Sequence, residues 1–519
     1  MLLFVLSIDL SYMSNNLIHV GILQLEHGKT YGRQVKSNGK PGKLYYGIIP
    51  GNKDDVPVKV AYEPIKSSLH SNICNIHKNR FVSYKITQFL DGNRSIAILV
   101  DNYGTVDNLD AFIKYRLHLK NLDIKPKFGK NLLEFIPEIR KQGIDRVNDA
   151  GNVENISIMT IDPEGCMDID DGVGLTKHND GTFTIFICIT HLPSYLLSCK
   201  VNLMDLSNTL VNPCSIYLPG QTINMFDEKF SLNTFSLKAG RTCPVLALCL
   251  DINELGEILG ENLTICNAYV THNYAYDSPE LNQDLSYSLL LRLIKLCFAK
   301  NKVELLASVN DSHDVVAYLM ILMNSYCGKF LKSLDNGIFR QANPIEDLTL
   351  PEGLQQLKHI VCNRASKYIC SNEVRGKPYV HITSPMRRLP DLINMMIISH
   401  YLLPNSEYEV FKQFIESSLS RIEQIDALCK AAKKIGDEST MLHMLYTHQI
   451  NTNRQYEGII IERLCESDNI FSIFIEEIGR WFRVKSNLNL YKFQVIKCRL
   501  VLFENATTCN RKLRICLVK

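Results

Sequence analysis

The strongest constraint on this chain is a cluster of acidic residues in the stretch "MTIDPEGCMDIDDGVGL", residues 159–175. Within ten residues of an otherwise apolar segment it places four aspartates, Asp162, Asp168, Asp170 and Asp171. Neighbouring carboxylates repel one another, so a fold tolerates such a cluster when a cation neutralises it or when it lies in water. Whether the cluster binds a cation or lies in water therefore has to be inferred from the surrounding sequence.

The segments on either side of the cluster carry strand signals. The preceding "ISIMTI" alternates between apolar and polar residues, which predicts a β-strand. The following segment predicts a β-hairpin around Asn179, Asp180 and Gly181, since Asp-Gly is a strong turn signal. We therefore expect the aspartates on a tight loop that leaves a sheet and cannot spread its charges into solvent.

The aspartate loop has three possible interpretations. A calcium-binding EF-hand that starts at Asp168 requires Gly at its sixth position and Glu at its twelfth, where this chain has Val173 and Asn179. That interpretation is excluded. A solvated acidic turn remains open, and so does a divalent-metal site, which the flanking strands favour. Carboxylate oxygens suit Mg²⁺, which binds one or two of them together with water and phosphate oxygens.

Composition indicates a reduced, intracellular protein. Apolar residues form 46% of the 519 positions, and the formal net charge of +3 gives no sign of a nucleic-acid protein by itself. The 17 cysteines include no C-x-x-C pair, so we expect free thiols and no disulfide-linked partner. The first apolar run is too short for a signal peptide or membrane anchor, which predicts a cytoplasmic protein without membrane association. The first twelve residues are predicted to be a non-structural extension.

The secondary-structure signals in the sequence differ between the two ends and the centre of the chain. Short runs rich in Val, Ile and Tyr, such as "KLYYGIIP" and "RFVSYKITQFL", predict a small β-barrel at 13–110. A basic connecting arm with some helix follows at 111–150. The centre, 151–440, mixes strands with long apolar helices such as "HDVVAYLMILMNSYCGKFLKSL". Strand signals return at 441–519. The sequence thus predicts an α+β protein with strand-rich ends.

The spacing of the four aspartates resembles the sequence motif of a known family. "TIDPEGCMDIDD" has the D-x₅-D-x-D-D arrangement of the ribonuclease II and ribonuclease R family (RNB domain), and it is most similar to the variant in the catalytic subunit of the eukaryotic exosome. Three further stretches resemble family motifs in the family's order: "SIYLPGQTINMF" at 215–226, "NGIFRQANP" at 336–344 and "YVHITSPMRRLPDL" at 379–392. The resemblance covers about 150 to 435.

The resemblance implies an architecture and an activity. It implies an RNB-type catalytic domain with a mixed α/β fold, flanked by an N-terminal OB- or cold-shock-like barrel and a short C-terminal OB-like barrel. The implied activity is hydrolysis of single-stranded RNA from the 3′ end to nucleoside 5′-monophosphates. The implied cofactor is Mg²⁺, with Mn²⁺ as the substitute. We expect the protein to act as a monomer.

The resemblance also assigns roles to the aspartates. Asp162 and Asp171 are expected to be metal ligands, and Asp168 is expected to be a ligand or the neighbour of one. Asp170 is expected to matter most for the chemical step, by holding the attacking water or a second metal ion.

Two further residues have roles that the resemblance implies. Arg387 is expected to bind the scissile phosphate and to stabilise charge in the transition state. Tyr217 is expected to stack on the terminal nucleotide. We interpret Arg388 as part of a structural ion pair. His191 and His381 are interpreted as structural rather than as general bases, because water activation would fall to the metal.

The chain departs from the family pattern at several positions. Ala317 and Tyr318 stand where the family often has glutamates, and His191 stands where an aspartate is usual. Leu389 replaces a tyrosine, and Ala342 replaces a histidine. An alternative is therefore an RNB-fold RNA-binding protein with weakened catalysis, and a more remote one is a metal phosphoesterase for small nucleotides. The intact aspartates favour the exoribonuclease.

Overall fold

A computed structural model describes most of the chain. The described residues are 17–26, 30–52, 55, 57–62, 78–88, 95–123, 136–149, 156–198, 212–303, 306, 308–341, 366–403, 406–465, 469–504 and 511–518.

The chain divides into two compact units, each of which is described by itself. The first comprises residues 1–124, 217–221 and 431–519, and the second comprises 125–216 and 222–430. The division differs from the predicted domains, since both predicted barrels fall in one unit and position 440 lies inside a continuous helix.

The N-terminal segment forms the predicted barrel-like sheet. Its elements are β1 (His19–Leu23), β2 (Thr30–Val35), β3 (Pro41–Pro50), β4 (Val58–Tyr62), β5 (Arg80–Gln88), β6 (Ser95–Thr105) and α1 (Leu109–Leu119). Because β1 pairs with both β5 and β3, five strands pair in a ring in the order β1-β5-β6-β4-β3. Strand β2 was not predicted, because its side chains are mostly exposed and show no apolar alternation. Helix α1 begins where the Asn108 side chain accepts a hydrogen bond from Ala111 N.

The second unit is built around a closed barrel that the sequence analysis did not foresee. Its first elements are α2 (Ile136–Asp149), β7 (Ile156–Asp162), β8 (Asp171–Lys177), β9 (Phe183–Thr190), α3 (Leu192–Ser198), β12 (Arg241–Ile252) and β13 (Ile258–Ala275). Between α3 and β12, the short strands β10 (Ile216–Leu218) and β11 (Gln221–Ile223) form a two-stranded sheet whose residues 217–221 are grouped with the first unit. The barrel closes in the order β12-β13-β7-β8-β9. The long strands β12 and β13 are antiparallel, whereas β13 and β7 run parallel. As a result, β7 and β13 end together, with Asp162 paired to Ala275.

Helices pack on this barrel and bury its apolar core. They follow as α4 (Pro279–Gln283), α5 (Leu285–Lys300), α6 (Ser312–Ser333), α7 (Leu389–Leu402), α8 (Lys412–Leu419) and the first part of α9 (Ile422–Tyr446), with the short strands β14 (Ile338–Gln341) and β15 (Lys367–Cys370) before α7. The residues of α9 from 431 onward are grouped with the first unit. Met323, Met395 and Met396 are completely buried, which confirms that the methionines of α6 and α7 belong to the core. Gly328 lets α6 approach the neighbouring segment, because a Cβ there would lie 2.7 Å from the Pro378 carbonyl oxygen.

The C-terminal segment forms a five-stranded antiparallel sheet. Its strands are β16 (Gln455–Cys465), β17 (Ile470–Ile475), β18 (Arg480–Lys485), β19 (Val495–Glu504) and β20 (Arg511–Leu517), in the order β18-β17-β16-β19-β20. Ile460, Ile473 and Leu500 are buried in its core. That both terminal sheets are OB-type barrels stays a prediction.

Two whole-chain expectations can be compared with the structure. Among the described residues, every cysteine with a described side chain is a free thiol. The described part of the chain contains no helix that is long and apolar enough to span a bilayer.

Candidate active site

The aspartate cluster lies on the tight loop that the sequence predicts. Asp162 is the last residue of β7, and Asp171 is the first residue of β8. Ser236 fixes the loop between them, since its Oγ accepts a hydrogen bond from Ile169 N at 3.1 Å and donates one to the Met167 carbonyl at 2.9 Å. The carboxylates are therefore held in place by backbone contacts and cannot move apart freely.

Asp170 is the most buried aspartate of the cluster, and Arg387 is its counter-ion. Its side chain is 1% exposed. Its Oδ1 accepts a hydrogen bond from Met386 N at 3.2 Å, and its Oδ2 accepts one from Arg387 Nε at 2.7 Å. The Arg387 side chain is 37% exposed, and its Nη2 donates to Ser384 Oγ at 3.1 Å. Asp170 thus orients the Arg387 guanidinium at the edge of the cluster.

The site disfavours the ionised forms of the aspartates, so their pKa values lie above the ordinary value. Burial, with additional repulsion from Asp162 and Asp170, raises the pKa of Asp171 to about 8. Burial also raises the pKa of Asp162 to about 6, although Arg387 opposes the rise. The pKa of Asp170 rises to about 6 for the same main reason, against its ion pair. One arginine is therefore not enough to balance the cluster.

The donor set fits a hard cation held by two carboxylates. Asp162 Oδ2 is buried and has no hydrogen-bond partner among the described residues. Asp171 lies close enough to Asp162 for the charge of Asp162 to raise the pKa of Asp171. Asp168 accepts a weak hydrogen bond from the Cys166 thiol at 3.8 Å. No group of three or more His, Cys, Asp or Glu side chains that could hold a metal ion forms in the described ranges, in keeping with the engagement of Asp170 by Arg387. Mg²⁺ needs only one or two carboxylates beside water and phosphate oxygens, so Asp162 and Asp171 are the fitting pair.

Replacing Asp171 tests this electrostatic account. Because folding raises the pKa of Asp171 from 3.8 to about 8, its contribution to stability is fully present below pH 3.8 and is lost as the pH rises through about 8. Without divalent cations, we expect Asp171→Asn to unfold at a higher temperature than the wild type at pH 8.5, by about 5 °C. The difference in unfolding temperature between Asp171→Asn and the wild type should become smaller towards pH 5. Adding Mg²⁺ at pH 8.5 should also make it smaller.

Thermal unfolding followed by calorimetry at several pH values measures this difference. Asp180→Asn is the matched control, because Asp180 lies on the exposed β8–β9 turn of the same barrel. Unfolding temperatures of Asp171→Asn that run parallel to the wild type at every pH would contradict the account.

Tyr276 is a residue of the site that the sequence analysis missed. It follows the end of β13, and its backbone N donates to the Asp162 carbonyl at 3.0 Å. Its hydroxyl pKa is raised by burial and by the negative charges of Asp171 and Asp162, which places the ring beside the cluster. Tyr276 reaches the site because β13 pairs in parallel with β7. The sequence close to Tyr276 does not show this pairing.

The structure brings the segment before Tyr217 together with the arginine motif. Ser215 N donates to the Arg387 carbonyl at 2.9 Å, and Cys214 forms a β-bridge with Arg388. Arg387 lies two residues before α7. Tyr217 itself is 54% exposed on β10 and groups with the other unit. Its role in holding RNA stays a prediction.

The residues interpreted as structural are bonded inside the fold. Arg388 Nη2 donates to the buried Asp391 carboxylate at 2.8 Å. His191 is fully buried, its two ring nitrogens bond the hydroxyls of Ser194 and Ser399, and burial lowers its pKa to about 3. These contacts agree with structural roles.

His381 and Tyr318 are similarly engaged. His381 Nδ1 bonds the Tyr368 hydroxyl at 2.9 Å, and burial lowers its pKa. Tyr318 is fully buried, and its hydroxyl donates to the Asn301 carbonyl at 3.2 Å. The side chain that replaces a family glutamate is thus part of the core.

Two other departures have different outcomes. At Gly172, where the resemblance implies an alanine, a Cβ would lie 2.9 Å from Ile158 Cδ1 and 3.1 Å from the Met159 carbonyl oxygen. An alanine here would need a small shift of the Ile158 side chain or of the strand. Ala342 lies outside the described residues.

Comparison with known proteins relates the central part of the chain to a known domain. Residues 151–288, which include all four aspartates and Tyr276, match the RNB domain model. This segment is therefore similar to the RNB domain. An uncharacterised ribonuclease of Synechocystis, sll1290, is 24% identical over 374 residues, which are 63% of this chain and 54% of that protein. The chain thus spans about half the length of that relative.

Almost the whole chain shares its fold with solved structures. Mycoplasma genitalium RNase R in complex with ribose-methylated single-stranded RNA aligns with 97% of this chain and 90% of its own, with a TM-score of 0.65 at 15% identity. Yeast Ssd1, described as a pseudonuclease, aligns with 93% of this chain and 66% of its own, with a TM-score of 0.57 at 14% identity. The fold is therefore shared by a nuclease and by a protein described as lacking nuclease activity, so activity has to be argued from the site.

Proposed function

We propose that this protein is a metal-dependent 3′-to-5′ exoribonuclease that acts as a monomer on single-stranded RNA and releases nucleoside 5′-monophosphates. The observation that carries the proposal is the rigid aspartate loop with Arg387 ion-paired to Asp170 at 2.7 Å. Phosphodiester hydrolysis needs relief of negative charge and an oriented nucleophile, and this arrangement offers groups for both.

The chain's own groups have separable tasks in this proposal. Asp162 and Asp171 would hold Mg²⁺, and Asp168 would extend the acidic surface around it. When bound, Mg²⁺ supplies a water of lowered pKa and neutralises phosphate oxygens. Asp170 orients Arg387, whose partly exposed guanidinium can donate charge-assisted hydrogen bonds to a phosphate.

The aromatic side chains would hold the RNA end. Tyr276 lies beside Asp162 and Asp171, where it can contact the terminal nucleotide. Exposed Tyr217 offers a face on which any base can stack, which suits an enzyme that removes nucleotides irrespective of sequence.

Linear and circular forms of one unpaired RNA test the need for a free end and the products. The linear RNA should be shortened with release of nucleoside 5′-monophosphates, identified by chromatography, whereas the circular RNA should persist because it has no 3′ end. Cleavage of the circle at a comparable rate would overturn the exonuclease assignment. Blocking the 3′ hydroxyl of the linear RNA with a terminal phosphate gives a second, independent check of the end requirement.

A second candidate function is RNA binding with weakened turnover. It is favoured by Ala317 and Tyr318 at the positions of family glutamates, and by the engagement of both Asp170 carboxylate oxygens by Met386 and Arg387. Gel retention of the linear RNA in Mg²⁺ without any shortening would support this candidate over the enzyme.

A further inference from the structure

The N-terminal turn of α6 is fastened to the end of β13, next to the aspartate cluster. Ser312, the first residue of α6, is 1% exposed. Its hydroxyl donates to Asp277 Oδ1 at 2.9 Å and accepts from Asp277 N at 3.2 Å. Asp277 has a φ of 55°, a left-handed backbone conformation that reverses the chain after Tyr276. The two hydrogen bonds therefore fix the helix start relative to the tyrosine.

The next residue of α6, His313, stacks on Tyr276. The two ring centroids are 3.7 Å apart, and the ring planes differ by 11°. His313 Nε2 also lies 3.8 Å from Asp277 Oδ2. The histidine side chain is 59% exposed, so its ring contributes little to the buried core. Its main described contacts are with Tyr276 and Asp277.

Tyr276 connects this stack to the cluster. Its backbone N is bonded to the Asp162 carbonyl, and the charges of Asp162 and Asp171 act on its hydroxyl. A flat ring against one face of Tyr276 restricts the rotation of the tyrosine side chain. The orientation of the tyrosine beside the carboxylates therefore depends on His313.

We propose that His313 is a positioning residue that holds the Tyr276 ring in the orientation required to place the RNA end at the aspartates. The inference rests on the proposed function. His313 acts through Tyr276 and not on the RNA directly. The flat ring is the property that matters, so another aromatic side chain at 313 should replace it.

Strand β13, which ends just before Tyr276, offers a matched control. His272 stacks on Tyr274 with centroids 5.4 Å apart and planes 17° apart. The Tyr274 hydroxyl donates to Asp284 at 2.9 Å, outside the aspartate cluster. His272→Ala therefore removes an exposed histidine–tyrosine stack from β13 without touching Tyr276.

Steady-state cleavage of a single-stranded RNA by His313→Ala, His313→Phe and His272→Ala tests the proposal. We expect His313→Ala to lower kcat roughly three- to tenfold, the scale of one lost aromatic pair, with less than about a twofold change in KM. His313→Phe should recover most of kcat, and His272→Ala should match the wild type. A His313→Ala enzyme with wild-type kcat, or a His313→Phe enzyme as slow as His313→Ala, would overturn the inference.

A spectroscopic readout separates this inference from the proposed function. In protein labelled with ¹³C at histidine Cε1, the His313 resonance should carry a ring-current shift that disappears in Tyr276→Leu. Loss of kcat in His313→Ala without such a shift in the wild type would overturn the stacking explanation while leaving the nuclease intact. A wild type that neither binds nor cleaves RNA would overturn the proposed function, and the positioning role with it.

Discussion

Asp170→Asn is expected to lower RNA turnover by at least about 100-fold while RNA affinity stays within about threefold of the wild type. The buried carboxylate accepts from Met386 N and from Arg387 Nε. Asparagine preserves the volume and one acceptor, but it removes the negative charge that orients Arg387. The guanidinium then loses its fixed direction towards the phosphate. Affinity should persist, because Asp170 is buried and its carboxylate oxygens accept hydrogen bonds from the protein itself.

Single-turnover cleavage and equilibrium binding of the same labelled RNA measure the two effects separately. Asp180→Asn provides the control, since it makes the same chemical change on the exposed turn of the same barrel. An Asp170→Asn protein that cleaves within tenfold of the wild type would refute the role assigned to this residue. Equal loss of binding and cleavage would indicate that Asp170 supports RNA binding instead.

Arg387→Lys is expected to lower turnover by about 100-fold with little change in unfolding temperature. Lysine keeps the charge but cannot bond Asp170 and a phosphate at the same time through a planar fork. Because the Arg387 side chain is 37% exposed, the fold should accept the shorter contact set. The loss should appear in kcat more than in RNA affinity, since the charge itself is retained.

Arg375→Lys is the control for this replacement. Arg375 is exposed, and it precedes the same "SPMRR" segment. The comparison uses cleavage rates at saturating RNA together with thermal unfolding. Turnover of Arg387→Lys close to that of Arg375→Lys would show that the guanidinium geometry has no part in the reaction.

Local signals explain which parts of the site the sequence predicts. The alternation in "ISIMTI" becomes β7, and the predicted turn contains Gly181 with a φ of 86°, a conformation that favours glycine. The arginine pair lies immediately before α7, whose second residue is Pro390, a position that favours proline. Each of these features depends on residues that are close together in the chain.

The remaining parts depend on contacts between distant residues. Asp170 and Arg387 are 217 positions apart, and their ion pair follows from the barrel and α7 packing together. The placement of Tyr276 follows from the parallel pairing of β13 with β7, which joins Ala275 to Asp162. Periodicity predicts single strands but not the partner or register of a parallel pair. The closed barrel was missed for the same reason.

The most direct test of the account is digestion of a 5′-labelled, unpaired oligoribonucleotide by the wild-type protein in Mg²⁺ and in EDTA. We predict a ladder of shortened, still-labelled products in Mg²⁺ and an intact strand in EDTA. An RNA that stays whole in Mg²⁺, or one that is shortened equally in EDTA, would contradict the claim that the aspartate loop and Arg387 form a metal-dependent exoribonuclease site.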